Sequence, residues 1–320
     1  MAGETQMAAA NRSGERRNPA RRGVTLVEML VVIALIGMLA ALLTPALGRA
    51  RERGRITTCT NNEYQIAFAL LRYDEQKGSI PGWLNVSPNS VTAPCSWPVY
   101  LLPYLGRSDV ADMWGAMPSP APLVEQFRCP TTKVAQSVVD AYPPISYAGN
   151  AGANGLVAND GLFLNVFSGG VASQSLDDVA DADGTSTTLA FSEKSARGFD
   201  PHRWDYSLTQ TTQLFGAGQN LPPVFGVQGT PPTPPAQVIN GDATTAFAPA
   251  SGHPDGVVVA YCDGHTGFLS NTVPAYLYGQ LLTPKSRWQG TTNKTNSTTM
   301  QPWLLKNGAA YLLDERDLKK

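Results

Sequence analysis

From Val24 to Leu47 every position is apolar, small or hydroxylated except Glu28. A helix rises 1.5 Å per residue, so about 20 such residues cross the roughly 30 Å hydrocarbon core of a bilayer. The run therefore predicts a transmembrane helix over 24–47. Gly37 lies within it, and Pro45 should bend it by removing one backbone hydrogen bond. Beyond Pro45 the pattern changes. Ile56, Cys59, Ile66, Leu70 and Tyr73 recur at helical spacing, which predicts an amphipathic continuation over 48–78 that ends near Gly78. The whole helix would span about 24–77, with its first half in lipid and its second half against a folded domain. A lone carboxylate inside such a span costs on the order of 2.5–3.5 kcal/mol, so Glu28 needs a partner or a purpose.

Downstream, the apolar positions read as strands. Gly256 to Tyr261 is β-branched and aromatic, Asp263-Gly264 suits a two-residue type I′ turn, and Thr266 to Leu269 can return as the partner strand. Leu189 to Ser192 after the Asp183-Gly184 turn is another strand, and Leu162 to Phe167 a further candidate. These elements predict an α+β fold: a long N-terminal helix packed on a mainly antiparallel sheet, in a globular domain over 79–285. Residues 205–250, rich in Gln, Thr, Pro and Gly and containing Thr230-Pro231-Pro232-Thr233-Pro234-Pro235, read as an inserted, extended surface segment. In the extension over 286–320, a polar Thr/Asn stretch precedes Trp303-Leu304-Leu305 and Tyr311-Leu312-Leu313, which suggest a short terminal helix. Residues 1–20 are polar, Arg-rich and without apolar periodicity, and Met7 is an alternative start.

Gly23, then Val24-Thr25-Leu26-Val27-Glu28, then Gly37 and Pro45, resemble the cleavage and methylation segment of type IV prepilins and pseudopilins. The resemblance implies a pilin-like fold, cleavage between Gly23 and Val24 by a prepilin peptidase, and N-methylation of Val24. Val24 stands where the family usually has phenylalanine; that departure touches the methylation step rather than cleavage, which reads mainly the glycine. For Glu28 the resemblance implies a role in assembly, pairing with the terminal amine of a neighbouring subunit in an apolar filament core, where a buried charge sets register. The implied partners are prepilin peptidase, other pilin or pseudopilin subunits and the cytoplasmic membrane. Arg12, Arg16, Arg17, Arg21 and Arg22 precede the span and Arg49, Arg51, Arg53 and Arg55 follow it, so charge counting does not orient it. The resemblance does, with the leader in the cytoplasm and the chain after Leu47 outside: a single-pass inner-membrane protein that passes into a pilus or pseudopilus.

Further segments extend the likeness: Cys59-Thr60-Asn61-Asn62-Glu63-Tyr64-Gln65-Ile66, Leu101-Leu102-Pro103-Tyr104-Leu105, Phe127-Arg128-Cys129-Pro130, Ser146-Tyr147-Ala148-Gly149-Asn150 and Asp183-Gly184-Thr185. They resemble the planctomycete-type pseudopilin family with a DUF1559 (SBP_bac_10) domain. Its most specific mark is His253, nine residues, then Asp263-Gly264. Cys59 and Cys129 fall in segments shared with that pattern, whereas Cys95 and Cys262 look like additions. Pairing Cys59 with Cys129, and Cys95 with Cys262, is the arrangement this suggests; reduced buried thiols are the alternative.

Composition narrows the chemistry. The net charge of −1 and a pI near 6.3 give no reason to expect a nucleic-acid partner. Only 15% of residues are charged, against 30 glycines and 25 prolines, as in a loop-rich β domain. Cys262, Asp263 and His265 could bind zinc, but neither they nor His202 and His253 stand at paired ligand spacing, so no metal and no other cofactor is expected. Asp177, Asp178, Asp181 and Asp183 crowd one loop, where Asp181 and Asp183 are the calcium candidates; the spacing fails the EF-hand pattern, with Val179 and Ala190 at ligand positions. No nucleophile motif or phosphate-binding loop is present, and no enzymatic activity is expected. The reading is a structural subunit of a pilus or type II secretion pseudopilus. The alternative is a membrane-anchored binding module for a glycan or solute, served by Trp83, Trp97, Trp114 and Trp204.

Overall fold

The computed structural model describes residues 24–87, 90–114, 121–132, 143–152, 161–167, 173–194, 202–203, 223–226, 238–240 and 248–284. The leader with Gly23, Trp204, the 230–235 proline run and the 286–320 extension lie outside them. The chain divides into two compact units, Met1–Ala50 and Arg51–Lys320.

Helix α1, Leu26–Lys77, runs unbroken through Pro45. Every described side chain up to Ala50 is exposed. The helix is long and apolar enough to cross a membrane. It stops at Gly78, whose φ of +68° suits glycine and whose N–H bonds Asp74 O at 2.7 Å.

The second unit is built on a five-stranded sheet of β4 (Tyr147–Asn150), β5 (Leu189–Glu193), β7 (Val224–Phe225), β8 (Gly256–Tyr261) and β9 (Thr266–Ser270). Their order across the sheet is β7-β4-β5-β8-β9. All pairings are antiparallel except β4 with β7. Outside the sheet, β1 (Asn85–Ser87) pairs with β2 (Ser90–Cys95), and β3 (Pro144–Ile145) with β6 (His202–Arg203). All six residues of β8 are buried. One face, with Phe191, Val258 and Ala260, joins Cys59, Ile66 and Leu70 of α1 and the aromatic group Trp97, Phe127 and Phe163. The other, with Leu189, Val257 and Val259, packs on Tyr278, Leu281 and Leu282 of the helix Ala275–Leu282. A strand covered on both sides reads as a continuous apolar run, as Gly256–Tyr261 does.

Three expectations are corrected. The β8–β9 connection is a three-residue loop, not a type I′ turn. Gly264 N–H bonds Tyr261 O (3.0 Å), Tyr261 N–H bonds His265 O (2.9 Å), and only Gly264 has positive φ, +89°. Asp263 is spared the left-handed conformation that a type I′ turn would require of it. Leu162–Phe167 forms no strand; it meets the chain at Trp83 and Leu84 through the isolated Leu84–Asn165 bridge, and Phe163 N–H bonds Asn150 O (2.8 Å). Within 205–250, the described stretches 223–226 and 238–240 are buried rather than on the surface: β7 supplies the sheet edge, and Phe225 and Ile239 are fully buried.

Candidate functional site

At the start of α1, Glu28 Oε2 accepts hydrogen bonds from Thr25 N–H and Thr25 Oγ1, both at 2.8 Å, and Glu28 N–H returns one to Thr25 Oγ1 at 3.3 Å. This reciprocal arrangement is a capping box: it occupies backbone donors that the first helical turn leaves unpaired. The Thr-x-x-Glu spacing of this box is a helix-start signal present in the sequence itself. Val24 is exposed beside it.

The second site is buried where α1 meets the sheet. His253 is wholly inaccessible; its Nδ1 lies 2.5 Å from Glu52 Oε1 and its Nε2 3.3 Å from Glu193 Oε1. The Nε2 contact has the distance of an ion pair but not the direction of a hydrogen bond, so Glu193 Oε1 accepts none. Glu193 Oε2 is anchored by Val258 N–H at 2.8 Å. Burial opposes charge on His253, but the carboxylates of Glu193 and Glu52 outweigh it and hold its pKa above the ordinary value. Its backbone is fixed through Ser251 Oγ, which accepts from His253 N–H (3.0 Å) and donates to Gly256 O (2.6 Å).

Cys59 and Cys129 form a disulfide beside this histidine, with Cys129 Sγ 3.9 Å from Nε2. Glu63, one helical turn after Cys59, is fully buried with neither carboxylate oxygen hydrogen-bonded. Burial, with a lesser push from Glu193, raises its pKa well above the usual range. Asn62 docks the same helix by donating to Arg128 O (2.9 Å) and Tyr147 Oη (3.1 Å). Lys194 is buried beyond Glu193, its Nζ donating to Ala248 O at 3.0 Å, and desolvation lowers its pKa to about 7.

The other predicted positions fall elsewhere. Cys95 and Cys262 are not bonded to each other: both are buried free thiols, and burial pushes the Cys95 thiol up to about 12. Asp263 Oδ1 accepts from His265 N–H and lies 2.6 Å from His265 Nδ1, on the hairpin loop. Cys262, Asp263 and His265 do not form a donor cluster; among the described residues the converging set is Cys59, Cys129, Glu193 and His253. In the acidic loop, Asp178 completes a capping box with Ser175, while Asp181 ends the helix Leu176–Ala180 and Asp183 N–H bonds Pro284 O at 3.1 Å. Trp83 and Trp97 are core side chains, and Trp114 is partly buried against the core. Glu52, Glu63 and Glu193 were missed, because nothing in their spacing joins them before the chain folds.

A family model described as "Protein of unknown function (DUF1559)", SBP_bac_10, matches residues 48–275. A second, described as "Prokaryotic N-terminal methylation motif", matches residues 18–44. No curated protein and no solved structure matches the chain.

Proposed function

The chain belongs to the DUF1559 (SBP_bac_10) family and carries a prepilin-type N-terminus, and from that premise we propose that it is a structural subunit of a type IV pilus or type II secretion pseudopilus. Prepilin peptidase removes residues 1–23 by cutting between Gly23 and Val24 and methylates the new amine of Val24. The subunit then waits in the inner membrane, crossing it once through the apolar half of α1, with the folded unit outside the cytoplasm. Its work is assembly rather than catalysis, and its partners are other pilin or pseudopilin subunits.

The observation that carries this reading is the conjunction, in one helix, of the methylation motif over 18–44 with an apolar, wholly exposed segment that begins at a Thr25–Glu28 capping box. In the isolated chain Glu28 has local donors, which lowers the cost of holding a carboxylate at the membrane edge. In a filament the methylated amine of a neighbouring Val24 is a charged donor and can replace Thr25. A charge-assisted bond in an apolar bundle is stronger than a neutral one. Co-expression with a prepilin peptidase, followed by intact-mass measurement and N-terminal sequencing, tests the reading. The expected product starts at N-methyl-Val24; an uncut chain, or a cut after Leu47, overturns it.

A further inference from the structure

Four donor atoms converge where α1 meets the sheet: Cys59 Sγ, Cys129 Sγ, His253 Nε2 and a carboxylate oxygen of Glu193, all within 4.8 Å of one another. They come from four separate parts of the chain, and all four residues are buried. We propose that this cluster is a tetrahedral zinc-class metal site in the dithiol state of the chain, and that the Cys59–Cys129 disulfide is its closed, metal-free state.

The geometry carries the proposal. Zinc bonds of about 2.0–2.1 Å to nitrogen and oxygen make the N···O edge of a tetrahedron about 3.3–3.4 Å, and a Zn–S bond of about 2.3 Å makes the S···N edge about 3.6 Å. His253 Nε2 lies 3.3 Å from Glu193 Oε1 and 3.9 Å from Cys129 Sγ. Both spacings are within a few tenths of an ångström of ligand–ligand edges. The supporting contacts also match a metal site. Zinc-bound histidines commonly donate their second ring N–H to a carboxylate, which fixes the tautomer; here Nδ1 faces Glu52 Oε1 at 2.5 Å. That leaves the Nε2 lone pair directed at the cluster. Glu193 is held by Val258 N–H through Oε2, while Oε1, buried and without a hydrogen bond, is turned toward the histidine. A cleft lined by Thr58, Asn62, Gln126, Arg128 and Cys129 borders the cluster on the Cys129 side.

Opening the site requires two electrons. A dithiol donor breaks the Cys59–Cys129 S–S bond and is itself oxidised to a disulfide, its two protons passing to the two cysteine sulfurs. Zinc then displaces those protons and takes two thiolates, neutral His253 and the Glu193 carboxylate as ligands. Oxidation by a protein disulfide reverses the sequence and expels the ion. The clamp joining α1 to the sheet would thus persist in either state, covalent when oxidised and coordinate when reduced.

The test uses the full chain in detergent, reduced with a phosphine, and titrated with Zn²⁺ against a chromophoric chelator and with Co²⁺ as the optical probe. We expect one Zn²⁺ per reduced chain, a thiolate-to-cobalt charge-transfer band with tetrahedral d–d absorption, and no binding by the oxidised chain. Glu52→Gln, which leaves the four ligands in place, should weaken zinc by about 10–100-fold. His253→Ala should weaken it further and alter the cobalt spectrum, while Cys95→Ala/Cys262→Ala should change neither. Should the reduced chain lose its fold, recovery of the native circular dichroism on adding Zn²⁺ supports the site and failure to recover overturns it. No stoichiometric binding by a folded reduced chain, octahedral cobalt without the charge-transfer band, or unchanged affinity in His253→Ala also overturns it. None of these outcomes depends on filament assembly, so the site and the proposed function fail separately.

Discussion

In the first half of α1, Leu39, Leu42 and Leu43 are each more than 60% exposed, whereas in the second half Cys59, Ile66 and Leu70 are exposed by 1% or less. Both stretches are regular helix, so local conformation does not distinguish them. The difference lies in how apolar residues are distributed around the axis. The first half is apolar on all sides, which suits a solvent that is itself apolar, and places its lone acid in a local capping box. The second half has one apolar side, and its buried polar groups must find partners in the domain: Asn62 does so, and Glu63 does not. A uniform apolar helix can exchange lipid for other helices with little change in hydrophobic energy. A one-sided helix is committed to its own sheet.

The sharpest test of that contrast is Glu28→Ala. Removing the acid eases residence in lipid by up to a few kcal/mol and deletes the partner of a neighbour's amine, so membrane insertion and cleavage should persist while assembly fails. Recovery in sheared filaments should fall by about tenfold or more as the membrane pool rises, since about 1.4 kcal/mol corresponds to each factor of ten. Normal incorporation would exclude amine pairing.

In the second half, Cys59→Ser should cost the folded unit about 4 kcal/mol, the loop entropy of a bridge across 70 residues. Denaturant unfolding of the oxidised full chain in detergent, followed by tryptophan fluorescence, measures it. An unchanged midpoint would mean that the bridge does not hold helix to sheet. A comparable effect, about 2–5 kcal/mol, is expected for Leu70→Ala by cavity formation, whereas Leu39→Ala should leave that transition in place. Equal shifts would erase the distinction between the two halves.

Glu63→Gln gives the mildest effect, and one that depends on pH. The folded-state pKa of Glu63 is raised above its unfolded value near 4.5, so its contribution is fully present below pH 4.5 and is lost as pH rises toward the folded pKa. In that window the unfolded chain releases a proton that the folded chain keeps, at about 1.4 kcal/mol per pH unit. The variant should therefore match the wild type at pH 4 and gain on it steadily as pH rises from 4.5 toward 7. Parallel stability curves across that range would show that Glu63 is ionised in the fold.

The sequence by itself determined what depends on neighbours along the chain. The apolar run from Val24, the helix stop at Gly78, and the strands at Leu189 and Gly256 follow from side chains a few residues apart, and the structure places elements there. Even the Thr25–Glu28 box was written locally, in a spacing of three. The loop at Asp263-Gly264 was legible as a turn but not in type, because Cys262 joins the loop and only Gly264 takes the positive φ. Residues 205–250 looked like surface by composition, yet the partners that bury Phe225 and Ile239 lie on β4 and on the helix at Ala275–Leu282, far along the chain. The same reason hid the clamp. His253 and Glu52 are 201 residues apart, and Val258 and Glu193 are 65 apart. Only the tertiary structure decided that a helix, a strand and two loops would bring a disulfide, an imidazole and three glutamates into one corner. Desolvation and charge pairing act on distance in space, which spacing along the chain does not encode.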